Sequence, residues 1–197
     1  MQTLEISATV FGLLQGILVL LNKRSNWIFY IAQIFCLIGF SYCNKLYGDV
    51  LSNSFYLCLG IYGWILWKDE NKTIITQCSK KERLLYVLIA ILSTKSLFLF
   101  LKNTEDPLPL MDSFTTSSSF VATYYMVRKK LDSWVIWFVN DICYVLQYSH
   151  LQKQAYYLMS LNIIWSIMAI ISFFNWHKIM KGYTKWKKYI SLVNLIK

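Results

Sequence analysis

The sequence predicts an all-α membrane protein of seven transmembrane helices, from three observations: 56% of the 197 residues are hydrophobic, only 15% are charged, and the apolar residues fall in long runs. Soluble domains carry about 25% charged residues and no such succession of apolar segments. A hydrocarbon core about 30 Å thick takes roughly 20 helical residues to cross, so seven crossings use about 140 residues and leave only short loops. A β-barrel would show alternating strands of about ten residues, whereas these runs are continuous and rich in Leu and Ile.

The runs extend from Leu4 to Leu21, Trp27 to Cys43, Val50 to Trp67, Leu84 to Leu101, Leu108 to Val127, Trp134 to Tyr148 and Ala155 to Phe174. The first follows Met1 to Glu5, which hold no Lys or Arg, as expected of a retained helix rather than a cleaved leader. The second opens with Trp27-x-x-Tyr30 after the basic turn Lys23-Arg24. On the third, Asn53, Gly60, Trp64 and Trp67 share a face, with Tyr56 and Gly63 on its border; the two glycines suit close helix packing. The fourth carries Lys95 among Ser93, Thr94 and Ser96, where snorkelling or pairing with a neighbour fits better than a retinal Schiff base, whose lysine belongs in the last helix. The fifth opens at Asp112 and continues through Thr115, Thr116, Ser117, Ser118 and Ser119, a polar face suited either to a wet path or to close packing. The sixth holds Trp134, Trp137, Asp141 and Tyr148, and the seventh Asn162, Trp165, Ala169 and Trp176.

Lys and Arg set the orientation. Sixteen of them fall in the connections after the first, third and fifth runs and in the tail, against three on the other side, Lys45, Lys102 and Lys153. The positive-inside rule then places the N-terminus outside and the C-terminus in the cytoplasm, in a multi-pass inner membrane protein. The basic tail 178–197, with Tyr183, Trp186 and Tyr189, is expected to lie along the anionic inner leaflet. The net charge of +10 does not signal nucleic acid, because the basic residues sit between apolar runs rather than on one solvated face. Cys36, Cys43, Cys58, Cys78 and Cys143 form no C-x-x-C pair and read as small apolar packing residues. No phosphate-binding loop, nucleophile elbow or zinc-protease motif occurs, and His150 and His177 lack metal-ligand spacing, so no enzyme, cofactor or metal is expected.

The halves of the chain resemble each other. Trp27-x-x-Tyr30 is matched by Trp134-x-x-Trp137 107 residues later, and Asn53 precedes Trp67 as Asn162 precedes Trp176, at an offset of 109. A duplicated three-helix unit follows, residues 4–67 and 108–176, with 84–101 as the connector that restores orientation and makes the repeat parallel. Residues 1–177 then form one seven-helix domain.

An ionisable group inside a span is costly and points to a pathway or a site. At 100 degrees per residue, Trp134, Trp137, Asp141 and Tyr148 fall on one face, an arrangement of aromatic walls and a carboxylate that suits a flat cationic heterocycle. The same residues read equally as interfacial tryptophans with a polar interhelical contact. Asn53 and Trp64 on the third helix and Asn162 on the seventh complete the candidate substrate-binding set.

These residues resemble the PnuC-type family of vitamin and nucleoside transporters. The resemblance rests on Leu46-Tyr47-Gly48-Asp49 with Ile61-Tyr62-Gly63-Trp64-x-x-Trp67, on the spacing of Trp134, Trp137, Asp141 and Tyr148, and on Pro109 to Arg128 with Asp112-x-x-Thr115-Thr116 ahead of Ala122-Thr123. It implies a 3+1+3 parallel repeat similar to the sugar-carrying SWEET fold. It also implies facilitated diffusion of a small-molecule vitamin precursor, nicotinamide riboside first, with trapping by a cytoplasmic kinase. A homotrimer is suggested by analogy alone. The chain departs from the family at Asp141, where nicotinamide riboside carriers have Asn, which keeps thiamine as a rival cargo. Asn53 stands for the usual Gln, Asn162 lies near an expected Tyr, and Ser172 replaces the usual Gly. A membrane sensor or assembly subunit is the alternative outside transport.

Overall fold

The structure, a computed structural model, describes residues 2–43, 47–68, 74–104, 106, 108–150 and 156–195. Within them lie seven helices: α1 (Gln2–Leu20), α2 (Asn26–Cys43), α3 (Tyr47–Leu66), α4 (Lys80–Leu101), α5 (Pro109–Val127), α6 (Asp132–Ser149) and α7 (Tyr156–Leu195). Their starts and ends follow local chemistry. The first turn of α4 is closed by a capping box: Glu82 N–H donates to Ser79 Oγ at 3.2 Å and Ser79 N–H to Glu82 Oε2 at 2.6 Å. Pro109 opens α5, where its missing N–H costs nothing. Asn22 and Lys129 turn the chain out of α1 and α5 with φ of 54° and 49°, the left-handed conformation that ends a helix.

The seventh element differs from expectation. Apolar sequence stops near Phe174, yet α7 continues through the basic segment as one helix of 40 residues, about 60 Å long at 1.5 Å per residue. Hydropathy marks where lipid ends, whereas a helix ends only where the backbone is broken, and no proline follows Phe174. The basic segment is therefore a continuation of the α7 helix as far as Leu195.

Three helices pack in sequence at each end of the chain, α1 on α2 on α3 and α5 on α6 on α7, and the two sets meet where α3 packs on α5 and α1 on α7. Exchanging α1 with α5, α2 with α6 and α3 with α7 leaves this pattern unchanged. Among the described helices α4 packs on α5 alone. At the lysine-rich end the exchange extends to single residues. Trp27 meets Trp67 edge to face at 5.5 Å, and Trp134 meets Trp176 in the same way at 5.2 Å. Gly63 makes room for the first pair: a Cβ there would come within 2.5 Å of the buried Trp27 ring.

The outward surface is apolar. Leu84, Leu88, Ile91, Leu92 and Phe100 on α4 and Ile163, Ile167, Ile171 and Phe174 on α7 are all exposed, a surface suited to hydrocarbon. Two helical stretches, Lys80–Leu101 and Met159–Thr184, are long and apolar enough to cross a bilayer by composition alone, at mean hydropathy 2.2 and 1.5. The buried Ser and Thr of α5 and the buried Asn140 and Asp141 of α6 dilute the hydropathy of those helices. Lys95 is exposed on α4, less than two turns from its end, in reach of the interface by snorkelling. All five thiols are free; Cys43 and Cys58 face outward, so they are not core packing residues.

A polar clamp holds the start of α4 to the α5–α6 turn. Thr76 N–H donates to Lys129 O at 3.1 Å and Leu131 N–H to Thr76 O at 2.8 Å. Arg83 Nε donates to Asp132 Oδ1 and Lys130 Nζ pairs with Glu82 Oε1, both at 2.7 Å. Asp132 Oδ2 also accepts from Cys78 N–H at 2.8 Å. Burial, and then the Asp132 carboxylate, push the Cys78 thiol up to about 12.

Two outcomes follow. Gly63→Ala should destabilise the detergent-solubilised protein by about 1–3 kcal/mol in thermal unfolding, because Trp27 has no free volume into which to retreat. In Asp132→Ala, loss of the neighbouring negative charge lowers the Cys78 pKa, so maleimide modification of Cys78 at pH 8 should be faster than in the parent; an unchanged rate would show that burial alone controls this thiol.

Candidate substrate site

Trp134 and Trp176 meet at one level near the lysine-rich end, and α6 and α7 run from that level in opposite chain directions. At 1.5 Å per residue, Asp141 lies about 10 Å inside it, and Tyr148 and Asn162 about 21 Å inside. Asn53 lies at the same depth below Trp67, about 21 Å, so the two asparagines occupy equivalent levels on α3 and α7.

The sequence-derived residues divide among several environments. Trp134 is buried within the aromatic layer. Trp137, one turn further in, is half-buried against the same core, and its Nε1 is buried without a partner among the described residues. Asp141, the next residue on that face, is 2% exposed and has no hydrogen-bond or ion-pair partner among the described residues. Asn162 is buried and Asn53 half-buried, and both interact with neighbours. The side chain of Tyr148 lies outside the described residues. Trp64 stands apart: the Arg24 guanidinium lies 3.6 Å from its ring centroid, and Arg24 Nε donates to Trp64 O at 2.9 Å. A cation already covers one face of that indole.

Sequence reasoning missed the best-connected polar residue of the interior. Asn140 is completely buried. Its Oδ1 accepts from Ser118 Oγ at 2.6 Å, and its Nδ2 donates to Thr115 O at 3.1 Å and to Ser119 Oγ at 2.5 Å. Further along the same interface Ser119 Oγ lies 3.4 Å from Tyr144 Oη, and Thr115 Oγ1 3.5 Å from Gln147 Oε1. One turn of α6 separates these partners, so α5 and α6 are joined by a polar seam. The α5 hydroxyls also turn back onto their own helix: Ser119 Oγ, while accepting from Asn140, donates to Thr115 O at 2.7 Å, and Thr123 Oγ1 donates to Ser119 O at 2.8 Å. Of the two readings of this polar face, close packing is the one these bonds support. The polar run Thr115 to Ser119 was the available signal, since a buried polar face on one helix requires donors and acceptors on its neighbour.

Across from this seam, Tyr56 on α3 stacks on Phe120 of α5 at 4.7 Å and 17°. Phe120 also lines two hollows of about 470 and 340 Å³. Ser93, Ser96 and Thr116 border the larger and Tyr86, Tyr124 and Tyr125 the smaller, and neither includes Trp137, Asp141 or Asn162.

Asn140 and Asp141 should therefore respond differently to truncation. Asn140→Ala removes the acceptor of Ser118 and a donor to Thr115 O, and should cost about 1–3 kcal/mol in thermal unfolding. Asp141→Ala removes no hydrogen bond to a described residue and should leave the unfolding temperature unchanged or raised.

Comparison with known proteins gives a consistent result. The family model for the nicotinamide mononucleotide transporter matches residues 2–178. The chain is 23% identical over 191 residues to the nicotinamide riboside transporter PnuC of Neisseria mucosa, covering 90% of this chain and 73% of that one. It is 25% identical over 192 residues to the PnuC of Escherichia coli K12, covering 82% of this chain and 79% of the relative. The crystal structure of the vitamin B3 transporter PnuC superposes with a TM-score of 0.72 at 22% identity, covering 91% of this chain and 82% of the other, which establishes the shared fold.

Proposed function

We propose, on the premise that the chain belongs to the nicotinamide mononucleotide transporter family, that it is an inner-membrane carrier taking up nicotinamide riboside by facilitated diffusion. The observation that carries this reading is Asp141. A carboxylate buried to this degree with no hydrogen-bond or ion-pair partner among the described residues is unfavourable in the empty protein and becomes favourable when a cation meets it. The pyridinium ring of nicotinamide riboside is a flat cation. Trp137, on the same face one turn away, offers a π-surface to the ring and an unpartnered indole N–H to an oxygen of the cargo. Asn162 and Asn53, about 10 Å deeper than Asp141, lie within reach of the far end of an extended nucleoside.

Several further readings belong to this proposal. The exchange symmetry of the helix contacts supports a 3+1+3 parallel repeat with α4 as connector. The lysine distribution supports an external N-terminus and a cytoplasmic C-terminus. A passive carrier equilibrates its cargo, so net uptake requires a cytoplasmic kinase to add a phosphate that cannot return. The basic end of α7 is suited to anionic lipid headgroups, and a homotrimer remains a family analogy. Thiamine is the second reading, favoured by one observation: Asp141 is a charged group where the resembled nicotinamide riboside carriers have a neutral one, and the thiazolium ring of thiamine is also a flat cation.

The test is competitive uptake of labelled nicotinamide riboside, thiamine and riboflavin by cells making this chain together with the matching kinase. Nicotinamide riboside should accumulate, and Asp141→Ala should reduce its uptake at least about tenfold while the protein still inserts in the membrane. Thiamine accumulating alone would transfer the assignment to thiamine. Accumulation of none of the three would leave a sensor or assembly subunit as the reading, and unchanged kinetics in Asp141→Ala would remove that residue from the site.

A further inference from the structure

The tryptophans of the lysine-rich end form one unbroken aromatic chain across the two three-helix sets. Trp27 of α2 meets Trp67 at the end of α3 at 5.5 Å and 88°, Trp67 meets Trp176 of α7 at 6.0 Å and 53°, and Trp176 meets Trp134 of α6 at 5.2 Å and 89°. None of the four is more than 6% exposed. Two of their indoles reach across to the opposite set. Trp67 Nε1 donates to Val127 O, the last residue of α5, at 2.8 Å, and Trp176 Nε1 donates to Val19 O near the end of α1 at 3.0 Å. Asn175 Nδ2 adds a bond to Leu20 O at 2.7 Å. Val127 O and Leu20 O accept no backbone N–H among the described residues, whereas Val19 O also accepts Asn22 N–H at 2.9 Å. The other two indoles, Trp27 Nε1 and Trp134 Nε1, hold equivalent positions and are buried without a partner among the described residues.

We propose that this layer is the gate at the lysine-rich end of the carrier, that Trp67 and Trp176 are its two latches, and that the structure is the state closed at that end. The proposal rests on the carrier reading above. Its geometry follows from depth: Asp141 lies about 10 Å inside the layer, so a cargo leaving Asp141 toward the lysine-rich side must pass between the four rings. The latches cross the two interfaces, α3 with α5 and α7 with α1, at which one helix set can move against the other. Energetics make the layer reversible. Opening breaks the two indole bonds and the Asn175–Leu20 bond, but brings water to the freed groups and to the two indoles that the closed state leaves without a partner among the described residues, so closed and open arrangements differ little in satisfied donors. A two-state element needs such a near balance. A further polar link between α3 and the end of α5, Arg128 Nη1 to Tyr62 Oη at 3.5 Å, is exposed and long enough to yield.

The test uses the full chain in sealed membrane vesicles, with its five native cysteines replaced by alanine and Ser172→Cys as reporter. Ser172 is fully buried, one turn inside Trp176. Trp67→Phe with Trp176→Phe keeps the rings and removes both donors, and should raise labelling by an impermeant maleimide from the lysine-rich side about tenfold. Trp27→Phe with Trp134→Phe, which removes indoles with no bond to lose, should leave labelling as it was. No rise in the first pair, or an equal rise in both pairs, overturns the proposal. Should the first pair fail to insert, Leu20→Cys with Asn175→Cys, without the reporter, provides the second test: oxidation to the disulfide should abolish uptake and reduction restore it, and uptake indifferent to the cross-link overturns the gate. Labelling needs no cargo, so a failure of the carrier reading and a failure of the gate are seen separately.

Discussion

The crossed pair of indole bonds, Trp67 to Val127 O and Trp176 to Val19 O, is the constraint on which the arrangement depends. Carbonyls of a helix's last turn need donors from outside the helix, and each three-helix set supplies some of them to the other: Trp67 to Val127 O, and Asn175 to Leu20 O. Val19 O takes the Trp176 indole in addition to Asn22 N–H of its own chain turn. The reciprocity fixes where α3 meets α5 and α7 meets α1, and the other contacts at that end follow from it. Gly63 is small because Trp27 must stand beside Trp67. Lys129 adopts a left-handed turn, and its ammonium lies 4.3 Å from the Trp67 ring centroid.

Further into the span the problem changes from helix ends to side chains. The α5–α6 seam solves it by saturation: Asn140 uses both ends of its amide, and the α5 hydroxyls return to carbonyls of their own helix. Asp141, the next residue along the chain, is left out of that seam by the 100° turn between neighbours. Adjacent polar residues thus do opposite things. One joins two helices, and the other is buried with no hydrogen bond to a described residue.

Much of this was legible in the sequence, because the bilayer is a demanding solvent and hydropathy reports it directly. Six of the seven apolar runs coincide with helices to within a few residues, although α4 starts ahead of its run, at the Ser79–Glu82 capping box that hydropathy does not register. The end of α7 was not legible, since no backbone-breaking residue marks it and hydropathy measures a different boundary. Within the site, the face shared by Trp134, Trp137 and Asp141 could be computed from helical spacing alone. Two things could not. Asn140 lies off that face, so its importance appears only when α5 is placed beside α6. Trp64 shares a face with Asn53 in sequence, but Arg24, 40 residues away, covers its ring. Arg24 and Lys129 also contribute to the charge count that sets orientation, so a residue read as a topological signal acts locally as a partner for tryptophan.

The isolation of α4, which packs on α5 alone and is clamped at one end by Asp132 and Lys130, bears on how such a chain can change over time. A segment with so little packed against it among the described helices has to satisfy length, hydropathy and a sound first turn, and almost nothing about residue identity beyond that. Substitutions along its outer face are therefore expected to drift freely among Leu, Ile, Val and Phe, while the helices that carry the tryptophans and the seam are held still. Its tolerance makes it the natural place to attach a bulky reporter without disturbing the other six helices.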